Sequence, residues 1–406
     1  MQPRNPKRPD QAIRLKARLG SKLIISSRSF SEPRTRPDGV QQAGFCGSKF
    51  LRALFALVIL IVIFGAIGCS TAQLGKELGY SDDAIVLIVN ADDVGLHASE
   101  TDATIQAMKM GTVTSGSIMV PCRDFERAMN AWKKSPALDF GIHLTLTCEW
   151  GLRYPWAPVL PKEAVSSLFA QDGLMWPDVE SLTQHARLNE VLMEAEAQIR
   201  KVLAFGMQPT HLDAHMDWYT ARTDYFEGVM RLARKYRLPM RVWKRRRTRM
   251  PWWPNNPAQM RRQGFVFPDT QTGYYNIDGE EKGGSLREES YFRFLNSLHP
   301  GVHEVTVHLA FRTGEMGAFM GPKDIARRGS DYDIWTGQSV RTIIETRKII
   351  LVGFRDLQRI QEEKWPLKEP YSLFPVRSLQ LAYRLCNWEH VANGFLISQD
   401  RIIPRN

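Results

Sequence analysis

Along most of this chain short apolar runs alternate with stretches in which apolar residues recur every three or four places. "AIVLIV" (84–89) is continuously apolar, as expected of a strand buried on both faces. "SETDATIQAMKM" (99–110) has helical spacing, "VTSGSIMVP" (113–121) reads as a strand and "DFERAMNAWKK" (124–134) as a helix. "LDFGIHLTLT" (138–147) is a third strand, and after a Pro- and Trp-containing loop "LNEVLMEAEAQIRKVLAFG" (188–206) is a long amphipathic helix closed by glycine. Then follow "PTHLDAH" (209–215) as a strand, "YFEGVMRLARKY" (225–236) as a helix and "LPMRVW" (238–243) as a strand. Beyond a basic, Pro- and Trp-rich interruption come a helix around 288–298, the strand "HEVTVHLA" (303–310), and a segment at 340–360 with mixed helix and strand signals. Strands that alternate with helices predict parallel βαβ units. Six or seven such units, none followed by GxGxxG, fit a distorted (β/α) barrel better than a dinucleotide-binding sheet. The expected organisation is a leader over 1–69, a linker over 70–83, the barrel over 84–364 and a C-terminal extension over 365–406 packing on it.

The front of the chain breaks this pattern. "ALFALVILIVIFGAIG" (53–68) follows Lys49 and Arg52 and runs directly into Cys69. It reads as a signal h-region or a short membrane anchor. "AIGC" (66–69) resembles a bacterial lipobox, in which the cysteine thiol carries the lipid. Because the basic flank precedes the apolar run, a lipoprotein signal or an uncleaved anchor alike exports the rest of the chain; the expectation is a membrane-anchored lipoprotein facing the periplasm or the cell exterior, with a misread buried helix as the remaining alternative.

Charge changes the picture less than it first suggests. The formal net charge is +11, but residues 1–52 hold 12 Lys and Arg against 3 Asp and Glu, leaving 42 basic and 40 acidic residues for the remainder. The excess belongs to the leader, so nucleic acid is not an expected partner. The run "WKRRRTRMPWWP" (243–254) is locally basic and reads as a solvated loop, with an anionic glycan or lipid head group as the alternative ligand. Cys122 and Cys148 each follow a predicted strand; export permits a disulfide between them, though free cysteines more often pack as small hydrophobes.

Four polar clusters close predicted strands: "NADD" (90–93), "GIHL" (141–144), "HLDAH" (211–215) and "VHLA" (307–310). In a parallel barrel such ends share one rim, where active sites form. Taken singly, paired aspartates are a turn or a cap and a lone histidine in an apolar strand is a core residue. Their joint placement favours a common site of carboxylate and imidazole ligands around a divalent metal, with a base and an acid beside it. In an extended strand His211 and His215 stand about 13 Å apart, too far for two ligands of one ion. His215, nearer the strand end, is favoured, with His211 and Asp213 as wall or supporting groups. Trp150, Trp156 and Trp218 follow these motifs, where their faces suit either a pyranose ring or loop packing.

"IVNADDVG", "GTVTSGSIMV", "GIHLTL" and "PTHLDAH", in this order and spacing, resemble the YdjC-like carbohydrate deacetylases, the family of chitooligosaccharide deacetylase. The resemblance implies a distorted (β/α) barrel and metal-dependent removal of an acetyl group from an N-acetylated sugar or glycolipid. By motif position Asp93, His143 and His215 match the family's metal ligands, with Mg2+ as the implied ion and Zn2+ as the alternative. Asp92 matches its general base, and His308 resembles its C-terminal acid. The chain departs from the family where Asp217 and Tyr219 replace further histidines and where "HLA" replaces "HPG". The implied chemistry has Asp92 deprotonating an attacking water and His308 protonating the departing amine. Two rivals remain: a metal-dependent hydrolase of another bond, such as a phosphoester, and a lipid-anchored carbohydrate-binding protein with a decayed site.

Overall fold

The computed structural model describes residues 73–242, 257–273 and 285–365. The leader with its apolar run, Cys46, Cys69 and Cys386, the basic run after Val242, and the extension beyond Trp365 lie outside these residues. Among the described residues no helix is long and apolar enough to cross a membrane.

Among the described residues seven strands make one parallel sheet: β1 (Ile85–Val94), β2 (Ser115–Ile118), β3 (Phe140–Leu144), β4 (Leu212–Ala214), β5 (Thr270–Thr272), β6 (Gly301–Val307) and β7 (Ile350–Leu351). The order is β4-β3-β2-β1-β6-β5, and β7 pairs with the beginning of β1 through Val86–Ile350 and Leu87–Leu351. Helices join the strands, as parallel pairing requires. The sheet is a curled half-barrel, and among the described residues β4 and β5 are not paired, so the expected barrel does not close there. The segment around Met240, read as a strand, contributes only a bridge to Leu212. Pro239 lacks the N–H that a longer ladder would use.

Strand alternation divides β1 by face and by height. Leu87, Val89 and Ala91 point outward with Val305 and Val307 of β6, and pack against Tyr291, Leu295, Trp335, Val340 and Ile344 of the covering helices. On the inner face Val86 and Ile88 pack with Val302 and Phe354, whereas Asn90 and Asp92 stand further along the same row. The interior is thus apolar at the N-terminal end of the strands and polar at the C-terminal end. The segment 70–83, expected to be a linker, holds a helix over Gln73–Glu77, and Leu74 and Leu78 join the apolar floor.

The helix Leu188–Ala204 shows why the long loop before it is ordered. Val191, Ala195, Ile199 and Val202 are buried apolar contacts, while Glu190, Glu194 and Gln198 form a polar row four residues apart. Glu194 accepts from the Val159 and Leu160 amides at 2.8 and 2.9 Å, Glu190 accepts from the Ser167 amide at 2.7 Å, and Gln198 exchanges two bonds with the Thr145 backbone at 2.9 and 2.7 Å. This row holds the loop that follows β3 over the C-terminal rim. Cys122 and Cys148 are free and buried in the apolar cluster under that loop, so the optional disulfide is absent.

Candidate metal centre

Adjacent residues of a strand point to opposite faces, so two neighbouring aspartates can share a site only if the strand is interrupted. It is. β1 and β2 pair Ala91 with Gly116 and next Val94 with Ile118, so β1 uses one residue more than its partner. The extra residue makes a bulge, a local device that redirects side chains. Asp93 takes φ +65° within it and Gly95 follows at φ +89°, the left-handed region where non-glycine residues are uncommon.

The bulge aims Asp93 at two histidines. Its Oδ1 lies 3.2 Å from His143 Nε2 and 3.2 Å from His215 Nδ1. Ligand atoms of Asp93, His143 and His215 all fall within 4.8 Å of one another, and the three residues are buried. The ends of β1, β3 and β4 thereby bring the expected ligand set together. The donor set fits a divalent cation, one carboxylate with two imidazoles at mutual distances that a single ion can span. His308, just past β6, completes the expected group, its Nε2 lying 3.5 Å from Asp93 Oδ2. The buried Asp331 fixes its backbone, accepting from the His308 amide at 3.2 Å while paired to the buried Arg287 at 2.9 Å.

Asp92 turns to the interior beside Asn90. Arg241 grips it in a fork, Nη1 to Oδ2 and Nη2 to Oδ1, both at 2.7 Å, and Asn90 Nδ2 donates to Oδ1 at 2.8 Å. The same guanidinium meets Asp213 at 2.9 Å and Glu304 at 2.8 Å. Asp213 in turn takes His143 Nδ1 at 2.8 Å, the supporting role expected of it. His211 lies below, stacked on Phe354 at a ring separation of 3.8 Å; a Cβ on Gly141 would meet its ring at 2.4 Å, which accounts for the glycine of "GIHL".

Several buried groups titrate far from their ordinary values. Burial opposes the charge on Asp93, but the Arg328 guanidinium, 2.8 Å from Oδ2, and then His308 outweigh it and hold the carboxyl well below the usual range. Burial likewise opposes the Asp213 carboxylate, and Arg241 with His143 reverses the balance. Burial lowers His215, yet Glu149 and Asp93 push it up to about 10. Burial also opposes a charged His143, which Asp213 and Asp92 hold well above the ordinary value. Against His211 burial prevails over Asp213, bringing it down to about 3.

Two adjacent carboxylates repel each other unless cations stand near them, and two arginines do. Arg241 comes from "LPMRVW", where a charge inside an apolar run signals a buried partner. Arg328 comes from the helix Pro322–Thr336, which the hydrophobic pattern does not single out, and it also binds the buried Glu100. Glu149, whose carboxylate meets His215 Nε2 at 2.9 and 3.1 Å, gave no signal beyond its place after a strand. Of the three tryptophans, Trp218 is fully buried and donates to the Leu144 carbonyl at 2.8 Å, so it packs rather than stacks on a ligand. Trp156 is also buried, its ring 6.3 Å from that of His215, and Trp150 stays partly exposed beside it.

Comparison with known proteins places this geometry in context. The family model described as YdjC-like protein matches residues 86–346. A carbohydrate deacetylase of Enterococcus faecalis is 36% identical over 285 residues, covering 67% of this chain and 97% of that protein. A chitooligosaccharide deacetylase of Yersinia enterocolitica is 28% identical over 232 residues, covering 56% of this chain and 82% of that one. A crystal structure from Enterococcus faecalis V583, named for cellobiose-phosphate cleavage, superposes with a TM-score of 0.55 at 28% identity, covering 68% of this chain and 99% of that one.

Proposed function

From the premise that this chain belongs to the YdjC-like protein family, we propose that it is a metal-dependent hydrolase removing the N-acetyl group of an amino sugar, an oligosaccharide or a glycolipid. The observation that carries the reading is the convergence of Asp93, His143 and His215 on one point beside Asp92. These three residues would hold the ion, which when bound polarises an acetamide carbonyl and makes water a better nucleophile. Mg2+ is the ion the family resemblance implies, and the two imidazoles also suit Zn2+; metal analysis of the purified protein identifies it.

The protein's own groups have separate tasks. Asp92 is the base: Oδ1 accepts from Asn90 and Arg241, whereas Oδ2 accepts from Arg241 and keeps a lone pair for a proton of the attacking water. Arg241 orients that carboxylate through its two-pronged contact. His308, 14% exposed at the end of β6, protonates the departing nitrogen, which is otherwise a very poor leaving group. Arg328 and Asp331 on one helix hold Asp93 and the His308 backbone in mutual register.

A second acidic group, Asp92 with His143 and Asp213, also lies within metal-binding spacing. Arg241 already places its cation between the two aspartates of that group. This supports one ion rather than two and favours amide hydrolysis over phosphoester chemistry, which commonly uses paired metals. Intact ligand and base positions favour an enzyme over a decayed binding protein. Acetate release from a panel of N-acetylated sugars, with Asp93→Ala as control, tests the proposal. Release of phosphate from sugar phosphates without acetate would refute it. We place the enzyme outside the cytoplasm as a lipoprotein anchored through Cys69, on the strength of the basic flank, apolar run and "AIGC". Unchanged membrane association of Cys69→Ala sinks the lipid anchor.

A further inference from the structure

An imidazole that ligates a metal must present a lone pair on one nitrogen and carry its proton on the other, so the partner of the far nitrogen decides which one binds. The two histidines of this centre are turned oppositely. His143 gives its Nδ1 to Asp213 at 2.8 Å and directs Nε2 to Asp93 Oδ1. His215 directs Nδ1 to the same oxygen, and its Nε2 meets Glu149 Oε2 at 2.9 Å and Oε1 at 3.1 Å. The His215 ring therefore stands between Glu149 and Asp93, and Glu149 is not among the residues whose ligand atoms cluster.

We infer that Glu149 is the positioning residue of this centre: it holds the Nε2 proton of His215 so that Nδ1 is the ligating atom. The inference rests on the reading of Asp93, His143 and His215 as ligands of one ion. Its surroundings suit the task. The Cys148 amide donates to the Trp176 carbonyl at 2.8 Å and the Gly151 amide to the Cys148 carbonyl at 3.2 Å, fixing the backbone on both sides of Glu149. The next residue, Trp150, packs edge-on against Trp156 at 5.7 Å, and Trp156 packs in turn on His215. The two supporting carboxylates differ in setting. Asp213 is wholly buried and shared with Arg241, whereas the Glu149 side chain is 24% exposed at the mouth. Solvent thus reaches the carboxylate that supports His215 and not the one that supports His143.

Calorimetric titration of the metal-stripped protein with Mg2+ and with Zn2+ tests this. Glu149→Ala is expected to bind about 10- to 100-fold more weakly, and Glu149→Gln, which keeps an acceptor oxygen, to recover most of that loss. Affinity of Glu149→Ala within about twofold of wild type overturns the assignment, since a supporting carboxylate is worth tenfold or more. Complete loss of the ion in both variants, as in His215→Ala, overturns it differently by making Glu149 a direct ligand. A measurement on the unmutated protein stands apart from the folding of any variant. With 113Cd bound, scalar coupling to the ring nitrogens should appear at Nδ1 of His215 and Nε2 of His143; coupling at Nε2 of His215 refutes the role. Wild-type protein that takes up no divalent ion overturns the metal reading itself, whereas uptake with an unaffected Glu149→Ala overturns only the role of Glu149.

Discussion

Removing Arg241 is the most demanding test of the electrostatics. The side chain is 1% exposed and makes four contacts of 2.7 to 2.9 Å with Asp92, Asp213 and Glu304. Each such pair is worth about 4 kcal/mol of attraction at 4 Å for an effective dielectric constant near 20. The contributions do not add, because carboxylates deprived of the cation can take up protons. Glu304 is already raised, burial outweighing Arg241 and Gln271, so it would be the first to do so. A loss of about 3–5 kcal/mol, the usual cost of breaking one buried pair, is therefore expected for Arg241→Ala at pH 7. Urea unfolding at several pH values is the assay. Arg241 and His143 hold Asp213 below its ordinary value against burial, so that group contributes stability above a pH of about 3.9, lost as pH falls through its lower folded value. The deficit of Arg241→Ala is accordingly largest at neutral pH and narrows below about pH 4, where the orphaned carboxyl is neutral. A neutral-pH deficit under about 1 kcal/mol, or one that widens in acid, refutes the account.

Three further outcomes follow from the same geometry. His215 keeps its proton up to about pH 10 in the metal-free protein and His143 is also held well above its ordinary value; each must release a proton to ligate, so metal affinity should rise about a hundredfold per pH unit between pH 6 and 8. Flat affinity over that range in titrations at fixed ionic strength contradicts a His215 ligand. Asp92→Asn should retain the ion, which Asp93 and the histidines hold, yet lose about 10²- to 10⁴-fold in acetate release. It also turns an amide toward Arg241 at a cost of about 1–3 kcal/mol. Near wild-type turnover removes Asp92 from the base role. Gly141→Ala places a methyl group 2.4 Å from the His211 ring and should cost about 1–3 kcal/mol in thermal or urea unfolding, with a parallel fall in turnover as β3 displaces His143; an unchanged midpoint means that His211 can move aside.

What the amino-acid pattern makes legible, and what it hides, divides along a physical line. β1 is readable because its first part is a continuous apolar run, β2, β3 and β6 because apolar and β-branched residues surround their few polar ones, and the helices around 99–110, 124–134 and 188–206 from their helical spacing of apolar residues. The segments 179–185 and 314–336 are harder, being short or rich in charge. The candidate ligands are legible for a related reason. A carboxylate or imidazole that ends a buried strand departs from its surroundings, and parallel strands deliver such departures to one rim. Arg328 does not depart from its surroundings: "ARRGSDY" looks like any solvated helix face, and only the fold shows the guanidinium turned inward onto Asp93 and Glu100.

That difference bears on how two aspartates can sit side by side. Adjacent carboxylates repel each other unless cations stand near them. The structure gives each aspartate its own guanidinium, Arg241 for Asp92 and Arg328 for Asp93, approaching from different elements. The two carboxylates are thereby separated electrostatically before any ion arrives. Asp93 keeps Oδ1 turned to the histidines while Oδ2 is held by Arg328, and Asp92 is braced in a plane by the fork of Arg241. The base proposed at Asp92 is thus set beside Arg241, and the ligand proposed at Asp93 beside Arg328 and His215. An Asp–Asp sequence reads the same in either direction, so the division of labour resides in the bulge at Asp93 and in the two arginines that fix each carboxylate on its own side of it.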